Sequence, residues 1–285
     1  MVRHTLYNTL STSLSENERA AVWRALLCHI TGRSMESIMA CPRLSFSPVE
    51  EEALTDAIGR YNRHEPLQHI IGETVFYGRR FRCDSRALIP RPETEELVER
   101  IVTDHLSCNH LHVLDIGTGT GCIAISLALD LKNAEVDAVD ISTGALALAQ
   151  ENADALSAPV RFHQADVLTW SVSSNIPPAL ECQYGIIVSN PPYIRQSERV
   201  DMDANVLDYE PHTALFVPDH DPLIFYRTIA AFAANHLKPD GALYFEINQF
   251  LSIETASLIR SLGFAHVEII NDLSGNARMI KARLR

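Results

Sequence analysis

At 285 residues, 46% of them hydrophobic and 21% charged, the chain has the composition of a soluble globular protein and the length for one large domain and a small one; a disordered or fibrous chain is excluded. Its net charge of −12 is uneven: residues 1–84 carry 10 basic and 10 acidic side chains, the remainder 14 basic and 26 acidic, which disfavours a nucleic-acid backbone as partner of the larger part. No apolar run reaches membrane-spanning length and the first twenty residues lack a signal peptide's apolar core, so a cytoplasmic location without membrane contact is expected.

Residues 1 to about 70 are expected to form a small helical domain. Ser15-Glu16-Asn17-Glu18 offers a cap and an acidic first turn, followed by Ala21, Val22, Ala25, Leu26 and Leu27 at helical spacing. A shorter helix over 34–40 is ended by Pro42, and Ser47-Pro48-Val49-Glu50 opens another that runs through Ile58 towards Tyr61. Bundles of this kind serve recognition or packing. Residues 71–90 turn β-rich around Gly78 and predict a hairpin linking this domain to residues 91–285. Pro92 then opens a helix with Leu97, Val98, Ile101 and Val102 along its apolar stripe.

From Leu111 onward strands and helices alternate, which predicts an α/β fold with a mostly parallel sheet covered on both faces. Strands are expected at 111–116, 135–140, 159–164, 184–189, 241–247, 265–270 and 277–283, and helices at 121–131, 142–156, 220–237 and 249–262. The last two strands are separated only by 271–276, too short for a parallel crossover, so they form an antiparallel hairpin at one end of the sheet. Six singly scattered cysteines read as reduced, mostly buried thiols, and His110 with His112 lacks the further ligands that a metal would need.

The chemistry concentrates at strand ends. Asn190-Pro191-Pro192-Tyr193 follows a buried strand; two prolines cannot continue its ladder, and Asn190 is pushed into an extended conformation. The resulting stiff corner offers the Asn190 side-chain oxygen, the Pro191 carbonyl and the Tyr193 ring, which together suit a planar –NH2 group: two acceptors for two hydrogens and a face to stack on. Gly117-Thr118-Gly119-Thr120-Gly121 closes the first strand of the alternating series as a glycine turn, without the third glycine of a dinucleotide fingerprint and without a P-loop lysine. Asp140 ends the next strand where an acid accepts from ribose hydroxyls, and Asp166 the one after, within reach of an adenine amino group. The three strand ends outline a bound adenosine, with Asn190 beside it.

With these pieces in place the chain resembles the S-adenosyl-L-methionine-dependent methyltransferases that modify glutamine in peptide chain release factors. The resemblance rests on IPRPETEELVE (89–99), VLDIGTGTGCIAISLA (113–128), VDAVDIS (136–142), IIVSNPPYI (186–194) and YEPHTAL (209–215). It implies a class I methyltransferase sheet of seven strands, a small N-terminal helical domain that recognises the substrate, and methyl transfer to the N5 amide of the glutamine in the GGQ motif of class 1 release factors. By resemblance, Gly117, Thr118, Gly119, Thr120 and Gly121 cradle the methionine and ribose portion, Asp140 holds the ribose, Asp166 and Val167 flank the adenine, and Asn190, Pro191, Pro192 and Tyr193 receive the amide. Many relatives carry an aromatic ring where Val167 or Leu168 stands here, and a glycine-rich stretch where this chain has 216–221. Arg91, Glu93 and Thr94 either line the methionine side of the pocket or merely start a helix; Glu210 either orders the loop after Tyr193 or pairs with an arginine.

An amide nitrogen is a weak nucleophile, so the expected mechanism is alignment: Asn190 and the Pro191 carbonyl hold the two amide hydrogens, Tyr193 packs on the amide plane, and no general base is evident. The alternative activity is transfer to adenine N6 or cytosine N4 of a nucleic acid, whose flipped base presents a comparable amine. A non-catalytic adaptor that keeps the fold is the remaining alternative.

Overall fold

A computed structural model describes residues 2–10, 14–41, 45–171 and 175–285; the expected helix stop at Pro42 lies outside them. The chain forms two compact units, Met1–Glu73 with Asp203–Tyr209, and Thr74–Met202 with Glu210–Arg285.

The first unit is helical, with α1 (Val2–Asn8), α2 (Glu16–Thr31), α3 (Met35–Ala40), α4 (Pro48–Asn62) and α5 (Leu67–Ile71). Ser15 and Ser47 each close a capping box, their hydroxyls accepting from the backbone of Glu18 and Glu50 while those carboxylates reach back to the cap N–H. The buried face of α2 holds Val22, Trp23, Leu26 and Leu27; Ala21 faces outward, and Trp23 provides the bulk that the core requires. The short helix α9 (Ala204–Tyr209), which has no periodicity to announce it, belongs to this unit, and the Tyr209 hydroxyl donates to the Arg63 carbonyl at 2.9 Å.

In the second unit, β1 (Glu73–Phe76) and β2 (Arg79–Arg82) pair across Tyr77 and Gly78, both at positive φ (47° and 73°), as a two-residue hairpin turn demands. Phe76 and Phe81 are fully buried in this unit's core, so the hairpin packs as part of it. The seven-stranded sheet comprises β3 (His112–Ile116), β4 (Glu135–Asp140), β5 (Val160–Gln164), β6 (Tyr184–Ser189), β9 (Leu237–Glu246), β10 (His266–Asn271) and β11 (Ala277–Arg283), in the order β10-β11-β9-β6-β3-β4-β5. Only β11 runs against the others, wedged between β9 and β10. Helices α6 (Pro92–Asp104) and α7 (Cys122–Asp130) cover one face and α10 (Ile224–His236) and α11 (Ser252–Ser261) the other, while α8 (Thr143–Leu156) packs beside β4 and β5. This is the class I methyltransferase architecture expected from the sequence. No helix among the described residues is long and apolar enough to cross a membrane.

Differences from expectation have local causes. Helix α10 starts at Ile224 rather than 220, because Asp221 precedes a proline and its carboxylate turns to Arg227 at 2.7 and 2.8 Å. Strand β9 begins at Leu237, before Pro239; the proline sits where pairing with β6 slips between Tyr184 and Ile186. Two-residue strands β7 (Ile194–Arg195) and β8 (Phe216–Val217) pair in parallel beyond the sheet and were too short to show a period.

Candidate active site

Strand order reverses between β3 and β6, which are hydrogen-bonded neighbours whose chains leave in opposite directions along the sheet. In an open parallel sheet the crevice at that reversal is where ligands bind. A cavity of about 390 Å³ opens there, walled by Gly117 to Thr120, by Asp140 and Asp166, and by Asn190 to Pro192. The Ser189 hydroxyl donates to the Ile116 carbonyl at 2.6 Å and so ties the end of β6 to the end of β3.

In the glycine turn the N–H groups of Gly117 and Thr118 both donate to the Val139 carbonyl, at 2.8 and 3.0 Å. Gly117, Gly119 and Gly121 all have positive φ (77°, 57° and 81°). A Cβ on Gly117 would meet nothing within 4 Å, leaving open space beside the backbone. Gly121 is different: it does not line the cavity, and a Cβ there would stand 2.9 Å from Ile125 Cδ1 and 3.1 Å from Ala149 Cβ. The missing side chain lets α7 pack against α8 at this end of the turn.

Asp140 lines the cavity while its carboxylate accepts from Gly119 N–H and Ser142 N–H, both at 2.9 Å; burial raises its pKa despite those bonds. Beneath the turn Asp115 is fully buried. Its Oδ2 accepts from the Thr118 hydroxyl at 2.7 Å and from Ala124 N–H at 3.2 Å, but Oδ1 has no partner, and burial pushes its pKa up to about 7. The Thr120 hydroxyl, in the cavity wall, is likewise buried without a partner. An open glycine cradle with an unsatisfied hydroxyl in its wall and Asp140 beside it fits a polar nucleoside ligand. Asp166 turns its carboxylate to Leu168 N–H at 2.9 Å, and Val167 and Leu168 both face the cavity. Aromatic rings in the cavity wall come from Phe216 on β8 and from Phe225 on α10, the latter 57 residues after Leu168 in the chain and without any local signal to flag it.

Asn190, Pro191 and Pro192 meet at the cavity as expected, and the corner is braced: Ile194 N–H donates to the Leu215 carbonyl at 3.0 Å and Asn248 Nδ2 to the Tyr193 carbonyl at 3.1 Å. Tyr193 departs from expectation. Its ring packs against the apolar cluster behind the corner, is not part of the cavity wall, and its hydroxyl donates to Glu246 Oε1 at 3.1 Å; burial is the main cause that raises its pKa. Of the residues left open, Arg91 and Thr94 line the cavity and Glu93 does not. Glu210 pairs with Arg91 rather than with the loop after Tyr193. Glu246 escapes sequence reasoning altogether, and Thr94 has partners that its place at a helix start does not announce. Thr94 Oγ1 accepts from Asn190 Nδ2 at 3.2 Å and donates to Glu246 Oε2 at 2.6 Å, and Glu246 is 1% exposed.

Among the described residues no group of three or more His, Cys, Asp or Glu side chains forms a candidate metal site.

Comparison with known proteins adds the family context. Residues 94–208 match the family model described as Methyltransferase small domain, and residues 3–72 the one described as PrmC N-terminal domain. A release factor glutamine methyltransferase from Bacteroides thetaiotaomicron is 42% identical over 284 residues, 99% of either chain. Another, from Flavobacterium psychrophilum, is 48% identical over 224 residues, 78% of this chain and 76% of its own. Two solved structures share the fold at low identity. A T. thermophilus 16S rRNA methyltransferase has a TM-score of 0.53 and 18% identity, covering 75% of this chain and 50% of its own. The hMettl16 catalytic domain has a TM-score of 0.55 and 14% identity, covering 85% and 84%.

Proposed function

Because the chain belongs to the release factor glutamine methyltransferase family, we propose that it transfers the methyl group of S-adenosyl-L-methionine to the N5 side-chain amide of the glutamine in the GGQ motif of class 1 peptide chain release factors. The relatives' glutamine specificity favours this amide over a nucleobase amine. The helical unit is assigned to recognition of the protein substrate and the hairpin at 71–90 to the link between the two parts; the site of action is the cytoplasm.

The observation that carries the chemistry is the orientation of Asn190. The one hydrogen of the Thr94 hydroxyl is committed to Glu246, so Thr94 offers Asn190 a lone pair, and only Nδ2 can use it. Oδ1 is left as the acceptor for substrate. Asn190 Oδ1 and the Pro191 carbonyl then take the two hydrogens of the glutamine amide and aim its nitrogen lone pair along the cavity. As that nitrogen gains positive charge the two oxygens hold its hydrogens more tightly, which stabilises the transition state more than the ground state, and one of those hydrogens leaves as a proton to solvent after transfer. Bound in the cavity, S-adenosyl-L-methionine supplies an electrophilic methyl group on a cationic sulfur. Gly117 to Thr120 and Asp140 would hold its amino-acid and ribose portions, Asp166 and Val167 its adenine edge, and Phe225 an adenine face. Tyr193 acts from behind the corner, through Glu246, and not as a stacking plate.

The deciding experiment is incubation with methyl-labelled S-adenosyl-L-methionine and either a class 1 release factor or DNA, followed by peptide mapping. Label confined to one glutamine of the release factor is expected. Label on DNA, or on no glutamine, overturns the assignment.

A further inference from the structure

Behind the corner four polar side chains from separate parts of the second unit form one chain of hydrogen bonds: Asn190, Thr94 of α6, Glu246 at the end of β9, and Tyr193. Glu246 does not line the cavity and is 1% exposed; Thr94 lines the cavity and contacts Asn190. Both oxygens of the Glu246 carboxylate act as acceptors, one for each hydroxyl. That arrangement determines which way each hydroxyl points.

We propose that Glu246 is a positioning residue for methyl transfer: in its ionised form it fixes the direction of the Thr94 hydroxyl, and Thr94 thereby holds Asn190 with its oxygen, not its NH2 group, towards the substrate amide. The inference rests on the reading of Asn190 as an acceptor for that amide. The argument is one of hydrogen count. A carboxylate has no hydrogen and accepts from Thr94, so the Thr94 oxygen accepts from Asn190. A carboxyl protonated on Oε2, the oxygen that faces Thr94, donates to it instead; the Thr94 hydrogen then rotates to Asn190, whose amide turns over to accept it. An NH2 group would now meet the substrate's NH2 group, donor against donor, and the pocket would repel what it is built to bind.

The surroundings give this switch a pH sense. Burial is the largest influence on Glu246 and pushes its carboxyl above the usual range, and Glu93 on α6 acts in the same direction. Hydrogen bonds from Thr94 and Tyr193 and the charge of Arg278 on β11 oppose it. The other titratable groups in its field are the Cys122 thiol on α7 and the Tyr226 phenol on α10, whose hydroxyl donates to the Glu246 carbonyl at 3.2 Å. Turnover is therefore full when Glu246 is ionised and declines as falling pH protonates it.

The test compares wild type with Thr94→Val, Thr94→Ser and Glu246→Gln, measuring kcat and KM on release factor, cofactor Kd by calorimetry, melting temperature and the acid side of the kcat profile. Thr94→Val is expected to lower kcat about tenfold or more with cofactor Kd within about twofold of wild type, and Thr94→Ser to recover most of the loss. Glu246→Gln is expected to lower kcat and to erase the acid limb, which a purely structural role would leave in place. Should Thr94→Val fail to fold, the Glu246→Gln profile decides alone. An active wild type whose Thr94→Val and Glu246→Gln variants both keep its kcat and its acid limb overturns the inference and leaves the functional reading standing. A wild type that binds cofactor but methylates no glutamine overturns both.

Discussion

Glu210 holds Arg91 by a 2.6 Å ion pair and, with its other oxygen, accepts the backbone N–H of Ile89 at 3.1 Å. The carboxylate is almost wholly buried while the guanidinium is about one-third exposed, 1% against 34%. One acid thus pins the Ile89-Pro90-Arg91 strap that forms one wall of the cavity. Glu210→Ala removes both bonds and is expected to raise the Kd for S-adenosyl-L-methionine roughly tenfold, about 1.4 kcal/mol. Calorimetry checks this; Glu210→Gln, which keeps an acceptor for Ile89, should lose less.

Asn190→Ala separates chemistry from cofactor binding. The acceptor for the substrate amide disappears while the glycine turn, Asp140 and the Asp166 end of the cavity stay as they are. A fall in kcat of roughly 100-fold or more is expected, the scale for losing one oriented transition-state contact. Cofactor affinity should hold, and calorimetry showing it lost would refute the division of roles.

The glycine turn yields a contrast in stability. Gly121→Ala places a methyl group 2.9 Å from Ile125 Cδ1 in a left-handed backbone, so overpacking and strain add. A loss of roughly 2–4 kcal/mol is expected in urea unfolding. Gly119→Ala, whose nearest foreign atom is Ala87 Cβ at 3.9 Å, meets only the backbone strain and should cost about 1–2 kcal/mol.

Asp137, at 2% exposure on β4, accepts from His112 Nε2 and His163 Nε2, both at 2.7 Å, and from Arg161 at 2.9 and 3.0 Å. Burial alone would raise its carboxyl, but hydrogen bonds from His112, Arg161 and His163 together take it well below the usual carboxylate range. A depressed folded pKa contributes stability above the unfolded value, near ~4, that is lost as pH falls through the folded one. Asp137→Asn should destabilise by roughly 2–4 kcal/mol at neutral pH. Thermal melts should show the gap from wild type narrowing as pH drops below ~4.

What the sequence makes legible is what local chemistry specifies. Asn190-Pro191-Pro192-Tyr193 and the glycine turn announce themselves because two prolines, or three closely spaced glycines, restrict or free the backbone within a few residues. The Ser15 and Ser47 capping boxes are equally local. Thr94 and Glu246 lie 152 residues apart and meet only once α6 packs on β9. The available signal was slight: a glutamate closing the apolar run Ala242-Leu243-Tyr244-Phe245, an acid where burial is the rule. The direction of the Tyr193 ring is hidden for a related reason. A ring beside a tight corner points either into the cleft or behind it, and the partner that takes its hydroxyl comes from a distant strand.

Strand pairing has a practical corollary. Ser189 sits opposite Phe245, so Asn190 and Glu246 are the next residues along two adjacent strands. Sliding β9 by a single residue would send its acid to the sheet's opposite face. Catalytic activity in a purified sample is thus a gauge of strand alignment: a preparation with native helix content but slipped pairing would pass a circular-dichroism check and fail an enzyme assay.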